Sequence, residues 1–203
     1  PLLNSLQDLR VRIESTSGGY TPFTIQGPLQ GGTTSIECPT SQYLSSLLLA
    51  APLARNDTEI VVPLLYERPY VEMTLDWLNM QAISYSRTEY RKFSIPGQQL
   101  YKPFNNRIPG DFSSASFFMV AAAITGSKLE LNGLDMQDTQ GDKEVVSLLE
   151  QMGCNVHRTS FGIELQGPPR DIGLKGGSFD LNNIPDALPA LSVAACYSKE
   201  KVE

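Results

Sequence analysis

The pattern of hydrophobic and polar residues along this chain repeats itself. Three apolar segments, each preceded by polar residues, end in paired alanines that come into register at Ala51, Ala123 and Ala195, at intervals of 72 residues. The amphipathic segment that follows obeys the same interval, since Met80 lies 72 residues before Met152. Solenoid repeats are shorter, at about 20 to 50 residues, so this interval indicates a small α/β unit that is used several times.

Each repeat predicts one buried helix and one amphipathic helix, with strands between them. In the unit from about Glu37 to Pro109, the predicted elements are helix 43–51, strand 58–62, a helix that starts at Pro69, and strand 90–95. The second unit is predicted to contain helix 114–123, strand 128–131, helix 142–152, strand 162–165 and a further strand near Phe179, and a partial first unit contains helix 2–9 and strand 23–26. Because the apolar helices must pack together, we expect an α+β fold with helices inside and sheets outside.

The turn-rich stretch QQLYKPFNNRIPGD, residues 98–111, lacks periodicity and predicts a boundary between two lobes near Pro109. We assign residues 1–109 to the later part of a first lobe, as a partial unit and one full unit. Residues 110–203 form the beginning of a second lobe, as one full unit and a partial unit. Both ends of the chain interrupt a repeat, so we expect the central part of a longer protein.

Composition narrows the class of protein. The net charge is −6 and the basic residues are scattered, so we expect no nucleic-acid partner. No apolar run approaches the roughly 18 residues of a membrane span, so we expect no membrane association. Cys38, Cys154 and Cys196 form no CxxC pair, which favours buried, reduced thiols in the cytoplasm over disulfides or a zinc site. His157 is expected at a solvent-facing strand position, and no nucleotide, metal or other cofactor motif is present.

Polar residues precede the three apolar helices at equivalent places: Thr40, Ser41 and Gln42; Asp111 with Ser113 and Ser114; and Asn182 and Asn183 with Asp186. A helix start offers unpaired amides and partial positive charge, so hydroxyls there suit a phosphate or a carboxylate. Simple helix capping is the alternative at each start. Asp186 also suits a general base if the helix start holds it partly desolvated, although capping stays open for it as well.

Five segments together carry a resemblance to a known family: TSQYLSSLLLAAPLA, ERPYVEMTL, GDFSSASFFMVAAAI, a QGD before a helix that ends in LLEQMG, and LNNIPDALPALSVAA. In this order and spacing they resemble 5-enolpyruvylshikimate-3-phosphate synthases. The resemblance covers nearly all of the chain. It implies an inside-out α/β barrel fold of two lobes, each with three βαβαββ units, with buried helices and outer sheets.

The resemblance also implies an activity. The family transfers the enolpyruvyl group of phosphoenolpyruvate to the 5-hydroxyl of shikimate-3-phosphate, in the shikimate pathway to chorismate and the aromatic amino acids, without a metal or organic cofactor. We expect a cytoplasmic monomer when intact. The family's cationic residues that bind phosphoenolpyruvate lie outside this chain, so we expect the chain alone to be inactive.

By motif, the resemblance assigns six site residues, and one of them, Thr40, stands where the family usually has serine, a mild change that keeps the hydroxyl. Thr40 and Ser41 would hold the 3-phosphate, Gln42 would contact both substrates, Tyr70 would lie against the shikimate, and Asp186 would accept the proton of the 5-hydroxyl.

The sixth residue, Glu67, fits least, because the family commonly places a phosphate-binding serine there and a carboxylate would repel the phosphate. For the phosphate to bind there, Glu67 must turn away from the phosphate, pair with a neighbour such as Arg68 or Lys102, or be protonated. Glu67 therefore favours another acceptor, such as a UDP-amino sugar or a relative of shikimate, whereas Thr40, Ser41, Gln42 and Asp186 favour shikimate phosphate. A non-catalytic scaffold with the same repeat is a third interpretation.

Overall fold

The computed structural model describes residues 1–203 apart from the side chain of Ser17. The chain divides into two compact units, unit 1 (Pro1–Phe104) and unit 2 (Asn105–Glu203). This division falls a few residues before the boundary that the turn-rich stretch predicts near Pro109. The assignment of the two units to two lobes of a larger protein stays a prediction.

Unit 1 contains one complete copy of the repeat. Its elements are α1 (Leu2–Asp8), β1 (Arg12–Ser17), β2 (Tyr20–Gln26), β3 (Gly32–Ser35), α2 (Ser41–Ala50), β4 (Thr58–Val61), α3 (Arg68–Met80), β5 (Ser86–Thr88) and β6 (Lys92–Ile95). β1 and β2 form an antiparallel hairpin. The other strands form a sheet in the order β3-β4-β6-β5, with β3 parallel to β4 and the remaining pairs antiparallel. From β3 to β6 the chain is therefore a βαβαββ unit.

Unit 2 repeats most of this arrangement. Its elements are α4 (Phe112–Thr125), β7 (Lys128–Asn132), α5 (Glu144–Gln151), β8 (Asn155–Arg158), β9 (Gly162–Gln166) and α6 (Leu188–Cys196). The strand order β7-β9-β8 is the order β4-β6-β5 of unit 1, and all its pairs are antiparallel. The predicted repeat is confirmed for these three strands. In the described part of unit 2, no strand precedes α4 as β3 precedes α2.

The prediction of a strand near Phe179 in the sheet of unit 2 is wrong. Gly177 instead forms an isolated parallel bridge with Val202, and Phe179 N donates to Glu203 O at 2.8 Å. This parallel pairing across a helix matches the pairing of β3 with β4 across α2. The residues around Gly177 therefore begin a third copy of the repeat.

Glycine is required where each of these parallel pairs begins. A Cβ atom on Gly31 would lie 2.3 Å from Asn56 O, and a Cβ atom on Gly176 would lie 2.1 Å from Lys201 O. No side chain fits at such distances, so both backbones must approach through glycine. The two copies thus share a local packing constraint as well as a strand order.

The apolar helices α2 and α4 contribute to the core of their units, as predicted, and each also has an exposed side. α2 buries Leu44, Leu47 and Leu48 but leaves Leu49 45% exposed, and α4 leaves Phe118 62% exposed. The reason is geometric, because within each unit the sheet and the neighbouring helices, α3 beside α2 and α5 and α6 beside α4, do not surround the helix. No helix among the described residues has the length and apolar character needed to span a membrane.

The cysteines and the histidine lie where the sequence predicts in three of four cases. Cys38 and Cys154 are buried, and burial raises the pKa of each thiol to about 11. Cys196 is exposed at the end of α6, so the prediction of a buried thiol is wrong there. His157 is exposed on β8, as predicted. Among the described residues, no three His, Cys, Asp or Glu side chains lie together in a way that could hold a metal ion.

Candidate substrate-binding site

Three neutral hydrogen-bond donors lie at the start of helix α2: the Thr40 hydroxyl, the Ser41 amide and the Ser41 hydroxyl. Thr40 is the N-cap residue, with an extended backbone (φ −131°, ψ 139°), and its Oγ1 accepts a long hydrogen bond of 3.5 Å from Gln42 N. Ser41, the first helical residue, is only 3% exposed. The first amides of a helix lack intrahelical acceptors and carry partial positive charge, so this helix start favours an anion.

The anion at this helix start is the carboxylate of Glu67. Its Oε2 atom accepts hydrogen bonds from Ser41 N at 3.0 Å, from Ser41 Oγ at 2.8 Å and from Thr40 Oγ1 at 3.4 Å. Glu67 therefore neither turns away from the helix nor pairs with Arg68 or Lys102. Hydrogen bonds to a charged acceptor are stronger than neutral ones, so the carboxylate satisfies the donors well.

Backbone pairing between two loops brings Glu67 to α2. Cys38 N donates to Leu64 O at 2.8 Å, and Tyr66 N donates to Cys38 O at 3.1 Å. Glu67 follows in the left-handed region (φ 57°, ψ 45°) as the N-cap residue of α3, but its side chain makes no capping bond to α3. The carboxylate thus serves the neighbouring helix instead of its own.

The site residues predicted in unit 1 lie at these two adjacent helix starts: Thr40, Ser41, Gln42, Glu67 and Tyr70. Gln42 is exposed in the first turn of α2. Tyr70 is half-buried in the first turn of α3, and its N donates to Glu67 O at 3.2 Å. A bond from Thr74 Oγ1 to Ser45 Oγ at 2.8 Å links the two helices further along. The structure therefore brings these predicted residues into one local cluster.

Asp186, the remaining predicted residue, belongs to unit 2. It lies in the 3-10 turn Pro185–Ala187 that precedes α6, and it is exposed. Unit 2 by itself therefore does not supply the desolvation expected for a general base. Neither Asn182 nor Asn183 caps α6, since the turn and the helix have no side-chain cap. Asn182 Nδ2 instead donates to Asp180 Oδ1 at 2.7 Å.

The start of α4, equivalent to that of α2, is closed by its own residues, as the capping alternative predicts. Asp111 accepts hydrogen bonds from Ser113 N at 3.2 Å and Ser114 N at 3.0 Å. Burial raises the pKa of Asp111, but the hydrogen bonds from Ser114 and Ser113 outweigh burial and hold that pKa below its ordinary value. The Ser113 hydroxyl donates to the buried carboxylate of Asp142.

A charged cluster that the sequence did not predict holds α3 against the β5–β6 hairpin. Arg87 Nη1 and Tyr90 Oη each donate to Glu72 Oε1 at 2.5 Å. Burial raises the pKa of Glu72, but the bonds from Arg87 and Tyr90 outweigh it and hold the pKa below its ordinary value. The guanidinium of Arg68 lies 5.1 Å from the centre of the Tyr90 ring. This cluster holds α3 in place, and α3 follows Glu67 and contains Tyr70 in its first turn.

Comparison with known proteins shows the family of the chain. The family model of EPSP synthase (3-phosphoshikimate 1-carboxyvinyltransferase) matches residues 1–203. The chain belongs to the EPSP synthase family. It is 47% identical over 200 residues to the 3-phosphoshikimate 1-carboxyvinyltransferase of Ruminiclostridium cellulolyticum and 48% identical to that of Acetivibrio thermocellus. Each alignment covers 98% of the chain and 46% of the relative, so the chain spans about half the length of the curated relatives it matches.

Solved structures agree with this EPSP synthase assignment. EPSP synthase from Acinetobacter baumannii superposes with a TM-score of 0.72 at 27% identity, over 99% of this chain and 47% of that one. The enolpyruvyl transferase NikO from Streptomyces tendae, at 16% identity and a TM-score of 0.68, shares the fold. The resemblance found in the sequence and the predicted α+β fold are confirmed.

For this EPSP synthase family member, sequence reasoning missed what Glu67 contacts. The conflict between Glu67 and a phosphate was visible in the sequence. Its resolution was not, because Ser41 and Glu67 are 26 residues apart and meet only through the loop pairing at Cys38. The available signal was position, since Glu67 precedes α3 where a capping residue is expected.

Proposed function

We propose that the protein that carries this chain transfers the enolpyruvyl group of phosphoenolpyruvate to the 5-hydroxyl of shikimate-3-phosphate and releases phosphate. The observation that supports this acceptor is the helix start at Thr40 and Ser41, where two hydroxyls and one backbone amide point to a single place suited to an anion. The match of the EPSP synthase family over the whole chain supports the reaction.

In this proposal, Thr40 and Ser41 bind the 3-phosphate of the acceptor, Gln42 contacts both substrates, and Tyr70 lies against the ring. Asp186 takes the proton of the 5-hydroxyl as that oxygen bonds to the central carbon of phosphoenolpyruvate, while a proton adds to the methylene carbon. The resulting tetrahedral adduct then loses phosphate and one methyl proton, which restores the double bond. A carboxylate is suited to this step because the attacking oxygen needs a nearby base.

The test uses the complete protein and follows phosphate release from phosphoenolpyruvate. Wild-type protein is expected to release phosphate only when shikimate-3-phosphate is added. Asp186→Asn should lower kcat by about 10² to 10⁴, the effect of removing a general base, with little change in KM. Asp171→Asn, at an exposed aspartate of the same unit, is the matched control and should leave kcat unchanged.

Two outcomes would contradict different parts of the proposal. Absence of acceptor-dependent phosphate release in the wild type would refute the reaction. Full activity of Asp186→Asn would refute only the role of Asp186. The cytoplasmic, monomeric and cofactor-free state that the resemblance implies stays a prediction.

One observation favours a second candidate acceptor. Glu67 occupies the donors that would bind the 3-phosphate, which suits an acceptor without phosphate at this position, such as a UDP-amino sugar or a relative of shikimate. Phosphate release measured with each of these acceptors in turn separates the two candidates.

A further inference from the structure

A rotatable carboxylate fills the place that the proposed function gives to the acceptor's phosphate. Glu67 Oε2 lies within 3.4 Å of three donor atoms at the start of α2, and all three are also donors to a phosphate in the proposal. These donors are neutral, so they cannot neutralise two anions at once. A carboxylate and a phosphate at this point would therefore exclude each other.

We propose that Glu67 is an internal competitor for the acceptor's anionic group, which occupies the start of α2 when the site is empty and is displaced when a phosphate binds. The identity of the acceptor rests on the proposed function. The competition itself rests only on the contacts of Glu67 with Thr40 and Ser41.

The structure allows the side chain to leave while the backbone stays. Hydrogen bonds between Cys38 and the segment Leu64–Tyr66 fix the loop that carries Glu67. Glu67 is only half-buried and makes no capping bond to its own helix, so rotation about its side-chain bonds exposes the carboxylate to water without breaking backbone pairs. A phosphate dianion has more charge and more acceptor oxygens than a carboxylate, so it can replace Glu67 at the same donors.

Unit 2 contains a similar contact between a serine and a carboxylate, but there the carboxylate is enclosed. Its Ser113 hydroxyl also donates to a carboxylate, that of Asp142 in the 3-10 turn Gly141–Lys143 before α5, but Asp142 is only 1% exposed. A group enclosed in this way has no route to solvent. The equivalent serines Ser41 and Ser113 thus each donate to a carboxylate, but the two carboxylates come from different positions of the repeat, one enclosed and one at an accessible site.

Competition of this kind has a measurable consequence. The apparent Kd for an anion equals the intrinsic Kd divided by the fraction of molecules in which Glu67 has left the donors. If Glu67 occupies them in about 90 to 99% of molecules, its removal tightens anion binding by about 10- to 100-fold.

The experiment titrates inorganic phosphate into the complete protein by calorimetry at constant ionic strength. Glu67→Gln keeps the shape of the side chain and removes its charge, and Glu67→Ser removes the side chain's reach. Both should bind phosphate about 10- to 100-fold more tightly than wild type. Glu89→Gln is the matched control, because Glu89 is an exposed glutamate of unit 1 that also has a positive φ, and it should change the Kd by less than about twofold.

A double variant locates the bound phosphate. Adding Ser41→Ala to Glu67→Gln removes a donor hydroxyl and should cancel most of the gain. The proposal is overturned if Glu67→Gln and Glu67→Ser, folded as judged by thermal unfolding, bind phosphate no more tightly than wild type. It is also overturned if the gain persists without the Ser41 hydroxyl, or if no protein binds phosphate.

Turnover distinguishes this inference from the proposed function. With shikimate-3-phosphate, Glu67→Gln should lower KM by about the factor by which it tightens phosphate binding, because the carboxylate competes with binding of the acceptor. Tighter phosphate binding without any turnover of shikimate-3-phosphate would uphold the competition and refute the acceptor. Turnover with unchanged phosphate binding would do the reverse.

Discussion

The two copies of the repeat begin their apolar helices in different ways. At α4, the helix start is saturated by neighbouring residues: Asp111 accepts from Ser113 N and Ser114 N, and Gln140 Oε1 accepts from Phe112 N at 2.9 Å. At α2, the cap residue Thr40 accepts only a 3.5 Å bond, and the remaining donors are satisfied by Glu67 from the next loop.

This difference separates the fold from the chemistry it carries. The two helices take equivalent places in the repeat, and the three strands that both units contain have the same order. The repeat therefore does not require either kind of helix start. A start closed by an adjacent aspartate and a buried carboxylate stabilises its unit. A start closed by a half-buried glutamate keeps its donors exchangeable, as a ligand site requires.

The largest effect is expected at the buried carboxylate. Asp142→Ala removes the acceptor of the Ser113 hydroxyl from an enclosed position, so it should lower the free energy of unfolding by about 2 to 3 kcal/mol. Glu67→Ala, at the half-buried carboxylate that accepts from Ser41, should cost less than about 1 kcal/mol. Urea denaturation of the complete protein measures both, and equal losses at the two positions would break the distinction between fixed and exchangeable contacts.

A smaller effect is expected at the cap of α4. Asp111→Ala removes the acceptor of two backbone amides and should cost about 1 to 2 kcal/mol, the usual range for loss of an N-cap. Urea denaturation at neutral pH measures this loss. A loss below about 0.3 kcal/mol would show that Gln140 and Asp142 suffice to close the helix.

The pH dependence of stability sharpens the same prediction. The folded-state pKa of Asp111 lies below its ordinary value of 3.8, so its stabilising contribution is complete above that value and is lost as the pH falls through the folded-state pKa. Asp111→Asn keeps a capping side chain without the charge. Its stability deficit relative to wild type should therefore shrink between about pH 6 and about pH 3. A deficit that stays constant would contradict the charge-based explanation.

The sequence predicted the elements whose burial has a period. The apolar runs of α2 and α4 and the alternating strands β4 and β6 were found because one face of each is packed. β3 and β5 were missed, since β5 is exposed at every residue and β3 buries only Thr34. β1 was missed although its residues 12–16 alternate between exposed and half-buried. Such strands exist because a neighbouring strand pairs with them, and this information is not local.

The candidate site divides in the same way. The residue types at Thr40, Ser41 and Gln42 indicated an anion site because helix starts have known donors. The contact with Glu67 depends on two loops that pair through Cys38, and single-residue chemistry cannot predict this pairing. The sequence pattern also could not predict that α2 and α4 would be only partly buried, since apolar periodicity does not show how many faces of a helix will pack against other elements.

The smallest effect is expected at Thr40, and it tests the comparison most finely. The two hydrogen bonds of its hydroxyl, from Gln42 N at 3.5 Å and to Glu67 Oε2 at 3.4 Å, are both long. Thr40→Ala should therefore cost about 0.5 kcal/mol, at the low end for a helix cap, and Thr40→Ser should be close to neutral. Urea denaturation beside Asp111→Ala checks both values. If Thr40→Ala cost as much as Asp111→Ala, the start of α2 would be a structural cap of the same kind, and the reason to treat its donors as exchangeable would be lost.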